Sequence, residues 1–218
     1  MRSTLFHGGR VHVGDGRPAD ALLARDGRVV AVGDARALAS EAQDAERIDL
    51  RGGLMVPGWT DAHVHFVWWA MQMGQLDLRD TQTVDEALAR TEAYARRLPE
   101  DAWVLGGRFD KNVWGRWPTA AELDRVTHGR PAALRSRDGH SRWLNSEALR
   151  RAKIVPDTPA PAGGAIFRDA RGEATGILQE NANMLADAAV PLPTDDDMVE
   201  AIRLGQREAW KRGITGIE

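Results

Sequence analysis

From Leu5 to Val56 the chain alternates short apolar runs with glycine and aspartate: TLFHGGRVHV, DALLARDGRVVAVG, ERIDL and GLMVPG. This is β-strand punctuation. The second run predicts a hairpin, because Asp26 and Gly27 tolerate the positive φ angles of a tight primed turn between two apolar stretches. After Pro57 strand-like runs are followed by helical ones, the rhythm of parallel strands with helices packed outside them, so the domain boundary is placed there. GWTDAHV reads as a first strand. TVDEALARTEAYARRL reads as a helix opened by a capping box of Thr83 and Glu86 and stopped by Pro99. AWVLGGRF is a second strand, TAAELDRV a helix with the same box built from Thr119 and Glu122, and PAALRS a further strand. Asn145 or Ser146 caps a short helix through Lys153. GGAIFRDARGEATGILQE predicts a hairpin returning into a strand near Gly176 to Gln179. DDDMVEAIRLGQREAWKRG is an amphipathic helix, acidic at its start and basic at its end as the helix dipole favours, and ITGIE is a last strand.

With 218 residues and 43% hydrophobic content the chain can bury a sizeable core as one domain or two. Its net charge of -3 carries no basic surface that points to nucleic acid and no single-sign tail. There is no cysteine, which removes disulfides, thiolate metal sites and a cysteine nucleophile together. No apolar run approaches the length needed to span a bilayer, and the start lacks the apolar core of a signal peptide, so the expected location is cytoplasmic.

The chemistry centres on WTDAHVHF. Residues two apart share a face in a strand and diverge in a helix, so His63 and His65 can share one metal ion only if this stretch is extended. With six histidines in the chain, bare spacing leaves two packed or surface histidines as an equal reading. GGRF at Gly106 to Phe109 has the spacing of neither nucleotide-binding motif.

VPGWTDAHVHF resembles the entry motif of the amidohydrolase superfamily. GGRFDKNVWGRWPTAAELDRV, RPAALRSRDGHSRWLNSEALR and GEATGILQENA are similar to the metal-dependent branch that includes N-substituted formamide deformylase. The resemblance implies an α/β fold: a partial TIM-type (β/α) barrel over residues 57–218, preceded by a small β-sandwich segment over residues 1–56. It makes His63 and His65 metal ligands, with Asp61 orienting the site; the alternative for Asp61 is a turn or cap aspartate. Many relatives bridge two metals with a carbamylated lysine, but Lys111, Lys153 and Lys211 are poorly placed. Glu180 is the better bridging ligand, or else a glutamate at a helix start. Asp138 and His140, just beyond a predicted strand, are assigned to catalysis through substrate contact or general electrostatics, against a turn held by its own aspartate. Trp114 and Trp143 are assigned to an aromatic substrate wall, against core packing.

The implied function is metal-dependent hydrolysis of a carbon–nitrogen bond in an amide-like small molecule. Zinc is the first expectation, ahead of iron, manganese or nickel, because the ligands are imidazole and carboxylate without thiolate. A full barrel needs ~250 residues, more than follow Pro57 here, and in the family two further histidines and a catalytic aspartate come from later strands. Catalysis by this chain alone is therefore in question, and an open barrel edge is expected to associate with another chain. The rivals are a non-catalytic barrel fragment acting as a binding or assembly module, and a barrel enzyme using Asp138 and His140 without metal.

Overall fold

The computed structural model describes residues 2–14 and 16–218 and divides the chain into two compact units. The first takes the residues up to Val64 together with Ala209–Glu218, and the second runs from His65 to Glu208. The division thus falls beyond Val56, and the first unit is discontinuous.

In the first unit, strands β1 (Ser3–His7), β2 (Arg10–Val11), β3 (Ala21–Arg25) and β4 (Arg28–Gly33) precede helix α1 (Ala35–Glu41), followed by β5 (Glu46–Asp49), β6 (Leu54–Met55) and β7 (Trp59–Asp61). A four-stranded sheet has the order β4-β3-β1-β5, and β2 pairs with β6. The β3–β4 hairpin turns at Asp26 and Gly27 with φ of 49° and 79°, as the sequence predicts. Helix α1 was not expected in this strand-rich stretch. It forms because the Asp34 carboxylate accepts the backbone N–H groups of Arg36 and Ala37, and it buries Leu38 in a cluster with Leu5, Ala21 and Leu23.

The second unit contains α2 (Phe66–Met73), β8 (Leu76–Asp77), α3 (Val84–Ala95), β9 (Val104–Phe109), α4 (Lys111–Trp114), α5 (Ala120–Thr127) and β10 (Ala132–Ser136). It continues with β11 (Ser141–Leu144), α6 (Ser146–Arg151), β12 (Gly164–Arg168), β13 (Ala174–Glu180), α7 (Asn183–Asp187) and most of α8 (Asp195–Lys211), which leads to β14 (Ile214–Ile217) in the first unit. The helix starts follow the predicted chemistry. Thr119 and Glu122 form the full capping box of α5. At α3, Thr83 accepts the N–H of Glu86, while the Glu86 carboxylate reaches past the cap to the N–H of Gln82.

The sheet order of the second unit, β12-β13-β11-β10-β9-β8, departs from the expected parallel series. Strands β8, β9 and β10 are parallel, but β11, β13 and β12 are antiparallel to their neighbours. The reason is the short link from Ser136 to Ser141: a turn of four residues permits only a hairpin, whereas a parallel return needs a crossover of a dozen or more. Strand β7 pairs instead with β14, in parallel, as a separate two-stranded sheet.

Gly106 and Gly107 in β9 explain GGRF. Both have strongly positive φ, and a Cβ on either would strike backbone, at Leu76 of β8 and Arg135 of β10 respectively. The pair allows three strands to close up around it. Among the described residues no helix is long and apolar enough to cross a membrane.

Candidate functional site

Strand β7 ends at Asp61, so His63 and His65 lie beyond it and not on it. This corrects the extended-strand expectation. The Asp61 carboxylate accepts the backbone N–H of His63 at 3.1 Å, a local turn that takes that N–H away from any strand ladder. His65 then caps helix α2: its carbonyl accepts the N–H of Trp69 at 2.9 Å, and its ring lies 5.8 Å from that of Trp68. The division between the two units passes between Val64 and His65. Asp61 therefore has the turn role, and through it sets the backbone at His63. Its own carbonyl accepts the N–H of Glu218, extending the β7–β14 ladder by one bond.

The second group of expected residues does converge. The turn joining β10 to β11 is held by Asp138, whose carboxylate accepts the Ser136 hydroxyl at 2.5 Å and the His140 N–H at 3.0 Å. The Ser136 hydroxyl in turn accepts the N–H of Ser141. His140 Nδ1 meets Glu180 Oε2 at 3.1 Å, and the His140 carbonyl accepts from the Glu180 N–H and the Asn183 amide. Glu180 ends β13 at φ 50°, which turns the chain back toward the β10–β11 turn. Glu180 is thus the partner of an imidazole. Ser136 and Asn183 were missed in the sequence; the serine immediately beyond PAALR was the available signal.

Electrostatics reinforce this group. The hydrogen bond and charge of Glu180, with help from Asp138, raise the His140 imidazole above its ordinary value. The Ser136 hydroxyl and the His140 N–H lower the Asp138 carboxyl. Because His140 is raised, its pairing favours the fold below the ordinary imidazole range, and that contribution is lost as pH climbs through the raised value. A titration of the His140 ring by NMR is expected to give a midpoint above that of a free imidazole, and Glu180→Gln to lower it toward the ordinary imidazole value. An unchanged midpoint in the variant contradicts the pairing.

Of the two tryptophans of the expected aromatic wall, Trp143 is interior and Trp114 partly buried. Trp143 is fully buried, with Phe109 and Trp114 against it at 5.9 Å between centroids, and its Nε1 donates to the carbonyl of Thr119 at 2.8 Å. Trp114 stacks on Phe109 at 5.3 Å and donates to the Thr81 carbonyl. Both indoles are committed to packing and to backbone acceptors.

The sequence model of the Amidohydrolase family matches residues 46–218. The chain belongs to this family. As an amidohydrolase it is 34% identical to N-substituted formamide deformylase of Arthrobacter pascens over 228 residues, covering 100% of this chain and 42% of that protein. It is 32% identical to the Bacillus subtilis protein YtcJ over 218 residues, covering 97% of this chain and 41% of YtcJ. The amidohydrolase chain therefore spans about two fifths of the length of these relatives. Among solved structures, an uncharacterized metal-dependent hydrolase from Pyrococcus horikoshii OT3 has a TM-score of 0.74 at 21% identity, over 99% of this chain and 42% of that one, a likeness of fold.

The donor set of this amidohydrolase suits a divalent cation in kind, since His63 and His65 are imidazoles and no thiolate competes. Among the described residues no group of three or more His, Asp or Glu side chains gathers as a metal cage.

Proposed function

We propose that this chain forms part of a hydrolase that cleaves a non-peptide carbon–nitrogen bond in an amide-like small molecule, with His63 and His65 holding a divalent metal. The observation that carries the reading is their position directly beyond the C-terminal end of a parallel strand, in a chain of the amidohydrolase family. Parallel barrels gather their chemistry at that end. The parallel pair β7–β14, entered from helix α8, is the element that belongs to a (β/α) barrel, and the sheets of β1 to β6 form its sandwich segment. The relative named N-substituted formamide deformylase points to an N-substituted amide as substrate class.

Zinc suits these ligands first. When bound, the cation supplies Lewis acidity at neutral pH. Asp61 sets the His63 backbone through its turn. In the second unit, His140, oriented by Glu180 and by the Asp138 turn, is the group able to exchange a proton with a polar substrate atom.

Elemental analysis of the purified chain tests the metal assignment. The expected result is a stoichiometric divalent metal that is lost in His63→Ala and in His65→Ala while the circular dichroism spectrum is unchanged. Absence of metal after growth in zinc-supplemented medium, or content indifferent to both substitutions, overturns it.

A further inference from the structure

On the sheet of the second unit, Arg135 of β10 stands directly opposite Arg142 of β11 in the antiparallel register. Directly opposed residues share a face, with Cβ atoms roughly 5 Å apart, and like charges so placed repel. Among the described residues one carboxylate pairs with them. Asp187, at the end of α7, contacts the Arg142 guanidinium, whose side chain is 10% exposed. The directly paired neighbours on this face offer no acceptor, and the carboxylate two residues further along it, Glu180, is taken up by His140. Arg135 pairs with Gly107 on β9, Arg142 pairs with Leu178 on β13, and Ala133 and Leu144 precede and follow them in the strands. The Arg135 guanidinium forms no hydrogen bond among the described residues. Arg135 is exposed, and partial desolvation together with the charge of Arg142 works against its cationic form, with Asp187 opposing them more weakly.

Two guanidiniums, one carboxylate and an apolar floor make an arrangement one negative charge short. We propose that Arg135 and Arg142 form a binding site for an oxyanion, a carboxylate or phosphate group on a small molecule, seated between the guanidiniums and completing the charge that Asp187 half-supplies. Arginine suits the task because its planar fork pairs with two oxygens of one anion. Arg142, fixed by Asp187, is the rigid half; Arg135, with no hydrogen-bond partner among the described residues, is the half left for the ligand. The site stands independently of the metal reading, on residues that reading does not use.

Thermal unfolding of the whole chain tests it, with sodium phosphate and sodium malonate compared against sodium chloride at matched ionic strength. The expected result is a saturable rise of about 5–10 °C with at least one oxyanion, the size that a ligand at ~100 times its Kd produces in a chain this long. Phosphate acting alone identifies a phosphate site, and malonate acting alone a carboxylate site. Arg135→Gln should abolish the rise and, in chloride, melt no lower than the parent, since it removes a repelled cation. Arg171→Gln, an exposed turn arginine, should keep the rise. No saturable response to either anion, or one that survives Arg135→Gln intact, overturns the proposal.

Discussion

Trp143→Ala is expected to destabilise the second unit by about 3–5 kcal/mol, the range for removing a large aromatic side chain from a packed interior. The indole lies where β11 faces the buried cluster of Phe109, Leu123, Leu134 and Ile177. Its loss opens a cavity bounded by Phe109 and Trp114, whose edge-on contacts with it disappear. It also deprives the Thr119 carbonyl, beside the start of α5, of its donor. Trp143→Phe should recover most of the packing and leave only the lost hydrogen bond, a cost of roughly 1 kcal/mol. Denaturant unfolding monitored at the remaining indoles measures both. If Trp143 instead lined an open substrate wall, the alanine variant would unfold at the parent's denaturant concentration, which contradicts its complete burial.

What was legible in the sequence was local. The turn at Asp26 and Gly27, the capping of α3 and α5, and the hairpin of β12 and β13 all depend on residues a few positions apart, so their chemistry is written in consecutive letters. Sheet order is not local. SRWL lies next to a glycine turn and is not marked as an element by its local pattern, yet it is the fully buried strand β11, because only the fold brings β10 and β13 to its two edges. The histidine pair shows the same limit in reverse. Alternation along a strand is the argument for His63 and His65, and the strand ends at Asp61, whose carboxylate accepts the His63 N–H, before either is reached.

The site was legible in residue type more than in partnership. His140 and Asp138 were recognisable beyond a predicted strand, but the contact of His140 with Glu180 joins residues 40 positions apart. The family resemblance makes that glutamate a bridging ligand in place of the poorly placed lysines; the structure gives it an imidazole partner instead. The left-handed backbone at Glu180, which turns the chain back, has no signature in the sequence, since glutamate is not a residue that favours positive φ.

Asn145 is the residue whose importance the sequence understates most. It was read as one of two possible helix caps, and its Oδ1 does accept the Ala148 N–H at the start of α6. The same oxygen accepts the N–H of Ala132 at the start of β10, and Nδ2 donates to the Thr127 hydroxyl and the Arg130 carbonyl. One side chain, 1% exposed, thereby ties α5, β10 and α6 together. Asn145→Ala is expected to cost about 3–7 kcal/mol: ~1 kcal/mol for the cap and ~1–3 kcal/mol for each main-chain group left buried without a partner, at Ala132 and Arg130. Asn145→Ser should restore part of the cap but cannot supply the amide donor, and should fall between the parent and the alanine variant. Amide hydrogen exchange locates the effect: protection should drop first at Ala132 and Ala148, whose N–H groups lose their shared acceptor. An alanine variant whose loss stays near 1 kcal/mol, with Ala132 still protected, would show that Asn145 is a cap and nothing more.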